Sequence, residues 1–190
     1  MPNTPDAVTA PATATLYEIF LAGEYSAVRR LIDDAEMAPT IADRIAMMRM
    51  VASEQQHFDL LAQQVEQAGG SVTDAVEKHQ RVFDEYHRVT TPSDWLEVLV
   101  KMYVGDGLAA DFYDEMVEQL PPEAHDVMAQ ALSQTTSSDW VRDEVRAAVA
   151  ADPALASPLT LWGRRLLGEA ITHAQWVLAE DEHMTDLLFS

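Results

Sequence analysis

Two pairs of residues in the chain have the spacing of a metal-binding motif. Glu54 and His57, in the segment ASEQQHFDLL, lie three residues apart, and Glu180 and His183 repeat this spacing near the C-terminus. On a helix, residues three apart share a face, so a carboxylate and an imidazole can reach the same metal ion. The motif is too short to be diagnostic by itself, and its surroundings decide what it indicates.

The carboxylate of Glu54 falls on an apolar helical stripe, where a charged residue is unexpected. The stripe of its helix includes Met50 and Phe58. Acids also fall on the apolar stripes of three other predicted helices, namely Glu24, Asp106 and Glu169. Acids are rarely buried unless they are paired or bound to a metal, and inward carboxylates from different helices repel one another without a cation between them. The pattern therefore predicts a carboxylate metal centre.

A glycine directly precedes three of these acids, in the segments LAGEYSA, YVGDGLAA and LLGEAIT. A glycine inside a helix costs about 1 kcal/mol relative to alanine. Because a glycine recurs at three such positions despite this cost, it indicates either close approach of neighbouring helices or room for a bound ion. The segments themselves do not distinguish these two alternatives.

The elements that must position these residues are predicted to be helices, because apolar residues recur with a period near 3.6 throughout. Five long helices are predicted: from Thr15 to Glu36, from the N-cap Thr40 to Ala68, after the N-cap Ser93, from the PPE turn at 121–123 to Ala150, and from Leu159 to Leu188. Residues 71–91 are predicted to form a connection that contains a short helix. No strand is predicted.

The lengths of the connections predict the topology. A short first loop, a long connection between the second and third helices, and a short loop after the third are typical of a ferritin-like antiparallel four-helix bundle. The fold class is therefore all-α, with this bundle, its long crossover and an additional C-terminal helix. We expect residues 1–14 to form a disordered tail and residues 15–190 a single domain.

Composition limits the chemistry. The chain has no cysteine, so any metal site must use oxygen and nitrogen ligands. The net charge of −20 disfavours polyanionic partners. The N-terminus has no signal-peptide pattern, and no run of residues is apolar enough for a membrane span. We therefore expect a cytoplasmic protein without a membrane partner.

Three segments resemble the ferritin-like superfamily, and within it the branch related to the MiaE-type tRNA hydroxylases. They are GEYSAVRRLIDDAEMAPTIADRIAMMRMVASEQQHFDLL, DWLEVLVKMYVGDGLAADFYDEM and LWGRRLLGEAITHAQWVLA, and the resemblance extends over about residues 16–180. It implies a bundle that carries a non-haem di-iron centre and activates dioxygen. In the tRNA hydroxylases, this centre hydroxylates the isopentenyl side chain of a modified adenosine.

The resemblance also implies a ligand set. Glu24 matches the ligand of the first helix, and Glu54 with His57 matches the pair of the second. The third ligand is either Asp106 or Glu169. With Asp106, the fourth-helix ligand would be Asp139, and Arg142 then stands where a histidine is expected.

The pair Glu180–His183 does not fit the same centre. Eleven residues separate Glu169 from Glu180, which on a helix is about 16 Å. We interpret this second pair as a helix-end or interface pair.

Two functional hypotheses follow. One is an oxygen-activating di-iron hydroxylase of the tRNA-hydroxylase-like branch, although the net charge disfavours tRNA itself. The other is a ferritin-like scaffold that has lost its metal and acts in binding or assembly. No catalytic residue is predicted. A homodimer is expected, with Trp140 and Trp162 as candidate exposed contacts.

Overall fold

The computed structural model describes residues 6–116, 120–131 and 137–180, and within these ranges it is helical without a strand. The helices are α1 (Asp6–Asp34), α2 (Ile41–Gln67), α3 (Val72–Val89), α4 (Trp95–Met116), α5 (Pro122–Ala131), α6 (Ser137–Ala151) and α7 (Ala156–Glu180). The predicted all-α class is confirmed. No helix among the described residues is long and apolar enough to cross a membrane.

The boundaries of α2 lie where the capping residues predict them. The hydroxyl of Thr40 accepts a hydrogen bond from the backbone N–H of Asp43 at 3.2 Å, as an N-cap does. After the helix, Gly69 has a φ of 83°, a left-handed conformation that favours glycine.

The predicted N-cap of the next long helix is wrong by one residue. Asp94, not Ser93, caps α4, because its carboxylate accepts the N–H of Glu97 at 2.9 Å. The carboxylate of Glu97 reaches back to the N–H of Ser93 at 2.7 Å, so the start of the helix is hydrogen-bonded in both directions.

Helix α1 begins at Asp6 rather than at Thr15. Residues 6–14, which we expected in a disordered tail, are therefore part of this helix, and residues 1–5 lie outside the described residues. Ala12 is buried in the first apolar core, which also contains Leu16 and Leu61, so packing extends the helix towards the N-terminus.

The long connection contains a helix of 18 residues, α3, which is longer than predicted. It runs parallel to α1. Glu18 on α1 contacts Lys78 at 3.0 Å, and further along, Arg29 contacts Asp84 at 3.6 Å. The crossover helix α3 therefore returns the chain along α1. Helix α4 then runs antiparallel to α1, as the ferritin-like topology requires.

The structure describes two stretches of the predicted fourth helix, α5 up to Ala131 and α6 from Ser137. Residues 132–136 lie outside the described residues, as does the end of the predicted last helix beyond residue 180.

Two apolar clusters fill the bundle. The first lies between α1, α2, α3 and α5, and its fully or nearly fully buried members include Leu16, Leu21, Leu61 and Met128. The second lies towards the other end, between α1, α2, α4 and α6, and consists of Leu31, Met47, Met50, Val98, Leu99 and Val141. Glu24, Glu54 and His57 fall between the two clusters along α1 and α2, and we refer to them as the polar layer.

The two tryptophans that we expected to be exposed are not. Trp162 is 7% exposed, and its indole N–H donates to the carbonyl oxygen of Glu97 at 2.9 Å. Trp140 is half-buried, with its ring centroid 6.3 Å from that of Trp95. Both are covered because α6 and α7 pack against α4, so neither supports a dimer contact.

Close helix approach explains only one of the three glycines that precede an acid. A Cβ on Gly23 would lie 3.4 Å from the ring of Phe83 on α3, at van der Waals distance. At Gly105 and Gly168, no heavy atom among the described neighbours lies within 4 Å of an added Cβ.

We expect Gly105→Ala and Gly168→Ala each to raise the free energy of unfolding by roughly 1 kcal/mol, because alanine fits and favours the helix. Gly23→Ala should gain less, since its methyl group meets the Phe83 ring. Urea denaturation of the three variants measures the difference. An equal gain at all three positions would contradict the packing role of Gly23, and a loss at Gly105 would show that its space is needed.

Candidate metal centre

The polar layer brings together three side chains that can bind a metal. One ligand atom each from Glu24, Glu54 and His57 lies within 4.8 Å of the other two. Glu24 is 8% exposed, and the side chains of Glu54 and His57 are 18% and 11% exposed. The two carboxylates and the imidazole are therefore largely withdrawn from water.

The register of α1 against α2 creates this proximity. Each helix has buried apolar residues on both sides of the layer, Leu21 and Leu31 on α1 and Met50 and Leu61 on α2. Their packing fixes how the two antiparallel helices slide against each other. The same packing that excludes water thus places Glu24 opposite Glu54.

Burial raises the pKa of Glu24 well above its ordinary value, and the neighbouring charges of Glu54 and Asp106 raise this pKa further. This environment favours the protonated form of Glu24, because a second negative charge beside Glu54 would be poorly solvated. Glu24 shares a hydrogen bond with Glu54.

Glu54 is the charged member of the pair. Burial alone raises the pKa of its carboxyl group, but hydrogen bonds with His57 and Glu24 outweigh that effect and lower the pKa overall. Nδ1 of His57 lies 3.2 Å from the carboxylate of Glu54 and donates to it in the tautomer that carries the proton on Nδ1. The three side chains thus form one hydrogen-bonded set centred on Glu54.

Of the two alternatives for the third-helix position, Asp106 is the one that acts on the layer. Its negative charge is among the causes that raise the pKa of Glu24. It lies on α4 between Met102, which packs on the second cluster, and Phe112, which packs on the first. Asp106 therefore lies at the level of the polar layer, although it is not among the three residues whose ligand atoms lie within 4.8 Å.

Glu169 lies elsewhere. Burial raises the pKa of Tyr86 on α3 to about 12, and the negative charge of Glu169 contributes to this rise. Its carbonyl oxygen accepts a hydrogen bond from Nδ1 of His173 at 2.7 Å. Glu169 thus belongs to the contact between α7 and α3, and the structure does not bring it into the polar layer.

The fourth-helix candidate is exposed. The side chain of Asp139 is 79% exposed, and its carboxylate forms a 2.6 Å ion pair with Arg142. At this helix the sequence departs from the family pattern, because Arg142 stands where a histidine is expected. The acid itself, Asp139, points to solvent. His183 and the side chain of Glu180 lie outside the described residues, so the second Glu–His pair stays a prediction.

A second buried polar cluster, which the sequence analysis did not identify, joins α3 to α4 and α1. Lys101 is 6% exposed, and its amine donates to the carbonyl oxygen of Thr90 at 2.8 Å, at the C-terminus of α3. Burial lowers the pKa of this amine to about 8, although the negative charge of Asp34 acts in the opposite direction. The available signal was a lysine on the apolar stripe of α4, beside Val98 and Met102.

The donors of the polar layer match the chemistry of a first-row transition metal. Two carboxylates and one imidazole are suitable ligands for Fe(II), Mn(II) or Zn(II), and Asp106 offers a further oxygen from α4. A divalent ion would also compensate the negative charges of Glu54 and Asp106, which together with burial raise the pKa of Glu24. The donor set therefore fits a metal ion.

Comparison with protein families gives one match over nearly the whole chain. A family model described as "Ferritin-like domain, actinomycetes" matches residues 9–190. No curated protein matches the chain. The matched range includes Glu24, Glu54 and His57 of the polar layer and Asp106 of α4.

We expect Glu24→Gln to stabilise the metal-free protein, by roughly 1–3 kcal/mol, the range for relieving a poorly compensated buried polar group. The amide of glutamine can still donate to Glu54 but cannot become a second negative charge. Glu54→Gln is the matched control and should destabilise, because His57 loses the carboxylate that it contacts at 3.2 Å. Urea denaturation in the presence of a chelator measures both. A loss of stability in both variants would contradict this account of the layer.

Proposed function

The chain belongs to the actinomycete ferritin-like domain family, and on that premise we propose that it binds a divalent transition-metal ion through Glu24, Glu54 and His57. The observation that carries the proposal is the convergence of these donors in a layer closed by apolar clusters on both sides. Buried acids are costly unless a counter-ion or hydrogen bonds compensate them.

Iron is the metal that would give the site its chemical activity. Bound Fe(II) can reduce dioxygen, and the resemblance to the tRNA-hydroxylase-like branch makes oxygen activation the finer proposal. The burial of the polar layer supports it, because a site withdrawn from water protects reactive oxygen chemistry from side reactions. In that role, Glu24, Glu54 and His57 hold the ion, and Asp106 supplies negative charge from the facing helix.

A polyanionic substrate does not fit the charge distribution. The chain carries a net charge of −20. Several described arginines are already paired with acids, Arg30 with Asp33, Arg88 with Glu85 and Arg142 with Asp139. We therefore propose that the substrate of the centre is a small or uncharged molecule rather than tRNA.

The alternative function is a ferritin-like scaffold without metal. It is favoured by one observation, namely that Glu24, Glu54 and His57 already form a hydrogen-bonded set, in which burial and the neighbouring charges raise the pKa of Glu24. Such a set can persist without a cation. Direct measurement of metal binding distinguishes this scaffold from the metal-binding protein.

We expect Fe(II), added without oxygen, or Mn(II) to raise the melting temperature of the chelator-treated protein. At a metal concentration of about 100 times the Kd, the shift for a chain of this size is roughly 5–10 °C. Glu54→Gln and His57→Gln should remove it, because each deletes a ligand.

Glu66→Gln is the matched control, since it makes the same chemical change at an exposed position of the same helix. It should retain the full shift. A melting temperature that no metal changes would support the scaffold, and an equal loss in the Glu66 variant would show that the metal binds to the acidic surface instead.

A further inference from the structure

The exposed side of α2 carries apolar residues in its first half. Ile41, Ile45 and Met48 are 67%, 46% and 68% exposed. They lie four and three residues apart, so they share one face of the helix. Large apolar side chains gathered on one exposed face indicate a contact surface. We refer to the exposed residues of α2 from Ile41 to Glu66 as the α2 face.

The first half of the α2 face is also basic. Arg44 and Arg49 are exposed and flank the apolar line on its two sides, and none of the exposed residues from Ile41 to Gln56 is acidic. Neither arginine is paired with an acid among the residues that the structure describes. This half is therefore a locally positive, apolar surface on a chain whose net charge is −20.

The second half of the α2 face is polar and acidic. Along the same line of the helix, the exposed residues are Asp59, Gln63 and Glu66. The carboxylate of Asp59 accepts a hydrogen bond from the side-chain amide of Gln55 at 2.9 Å and forms no ion pair with a described basic residue. The α2 face thus presents opposite charges in its two halves.

Two copies of the α2 face are complementary when the helices run antiparallel. A two-fold axis pairs positions at equal distances on either side of it, so the surface must complement itself. Ala52 is the small exposed residue in the middle of the face, and Ile45 and Asp59 each lie about two helical turns from it. With the axis at Ala52, Asp59 of the second copy comes opposite Ile45, between Arg44 and Arg49.

Helix α7 carries a second set of exposed apolar residues but is not complementary to itself in charge. Four large apolar side chains of this helix are 43–62% exposed, namely Leu161, Leu167, Ile171 and Trp176. Where the structure describes its side chains, the exposed residues of α7 include Arg164 and Arg165 but no acid. Two copies joined through α7 would therefore bring like charges together, which disfavours association.

We infer that the chain forms a homodimer through the α2 face, with the two copies of α2 antiparallel about a two-fold axis at Ala52. Removal of the three apolar side chains from water drives the association, and the opposite charges of the two halves set its direction and register. The inward side of the same helix carries Glu54 and His57. The inference concerns a different surface from theirs and does not depend on metal binding.

Light scattering during gel filtration of the full chain measures the mass of the particle and tests the surface. We expect twice the mass of one chain for the unaltered protein and the mass of one chain for Ile45→Glu, which places an acid opposite Asp59. Ile171→Glu is the matched control, because it makes the same change on α7 at nearly the same exposure, 49% against 46%. It should remain a dimer. Circular dichroism of both variants checks that the helix content is unchanged.

A charge exchange tests the direction of the two helices. Arg49→Asp and Asp59→Arg each place like charges together at two symmetric positions, so each should raise the dissociation constant at least about 10-fold. The double variant restores opposite charges with reversed signs and should recover most of the affinity. Sedimentation equilibrium measures the dissociation constants.

The absence of cysteine from the chain permits a test of the two-fold axis itself. Ala52→Cys places one thiol of each copy at the axis, so mild oxidation should link the two chains by a disulfide. Gln175→Cys, at an exposed position of α7, is the control and should stay unlinked under the same conditions. Electrophoresis without reductant separates the linked from the unlinked chains.

Four results would overturn the inference, and none of them bears on metal binding. One is the mass of a single chain for the unaltered protein at every concentration measured, which would show that the α2 face meets something other than a second copy. Another is a dimer that Ile171→Glu dissociates and Ile45→Glu does not. The others are a double charge variant as weak as either single variant, and a dimer that Ala52→Cys does not cross-link.

Discussion

The structure depends on how two carboxylates are held inside an apolar bundle. Glu24 and Glu54 come from different helices, and packing on both sides of them fixes their proximity. Burial and the charge of Glu54 raise the pKa of Glu24, whereas hydrogen bonds with His57 and Glu24 lower the pKa of Glu54, so without a cation the layer favours a proton on Glu24. A metal ion would compensate the charges of both carboxylates, with all three side chains as its ligands.

The rest of the bundle serves this layer unequally. Helices α1 and α2 supply its ligand candidates, and α4 adds the charge of Asp106. Helix α3 is the crossover, which returns the chain along α1 and is tied to α4 by the buried amine of Lys101. Helices α5 and α6 supply apolar packing, α5 in the first cluster and α6 in the second.

Local sequence predicts the layer and the fold well, for physical reasons. Glu54 and His57 share a helical face by spacing alone, and Glu24 breaks an apolar stripe that is easy to follow. Thr40 is a correct N-cap because capping depends only on neighbouring residues. The class and the crossover topology follow from helix periodicity and loop length.

The features that were missed depend on contacts distant in sequence. Residues 6–14 are helical partly because Ala12 is buried in the apolar core, and Trp162 is buried because α7 packs on α4. Periodicity could not decide between Asp106 and Glu169, since both fall on apolar stripes. Only the packing of α4 and α7 shows that Asp106 acts on Glu24 while Glu169 acts on Tyr86.

Anomalous diffraction from crystals grown with Mn(II) or Fe(II) tests the central claim most directly, because it locates the ion without reference to activity. The account predicts anomalous density in the polar layer, with ligand atoms of Glu24, Glu54 and His57 at about 2.0–2.2 Å from the ion. A layer without a peak at saturating metal would contradict metal binding itself.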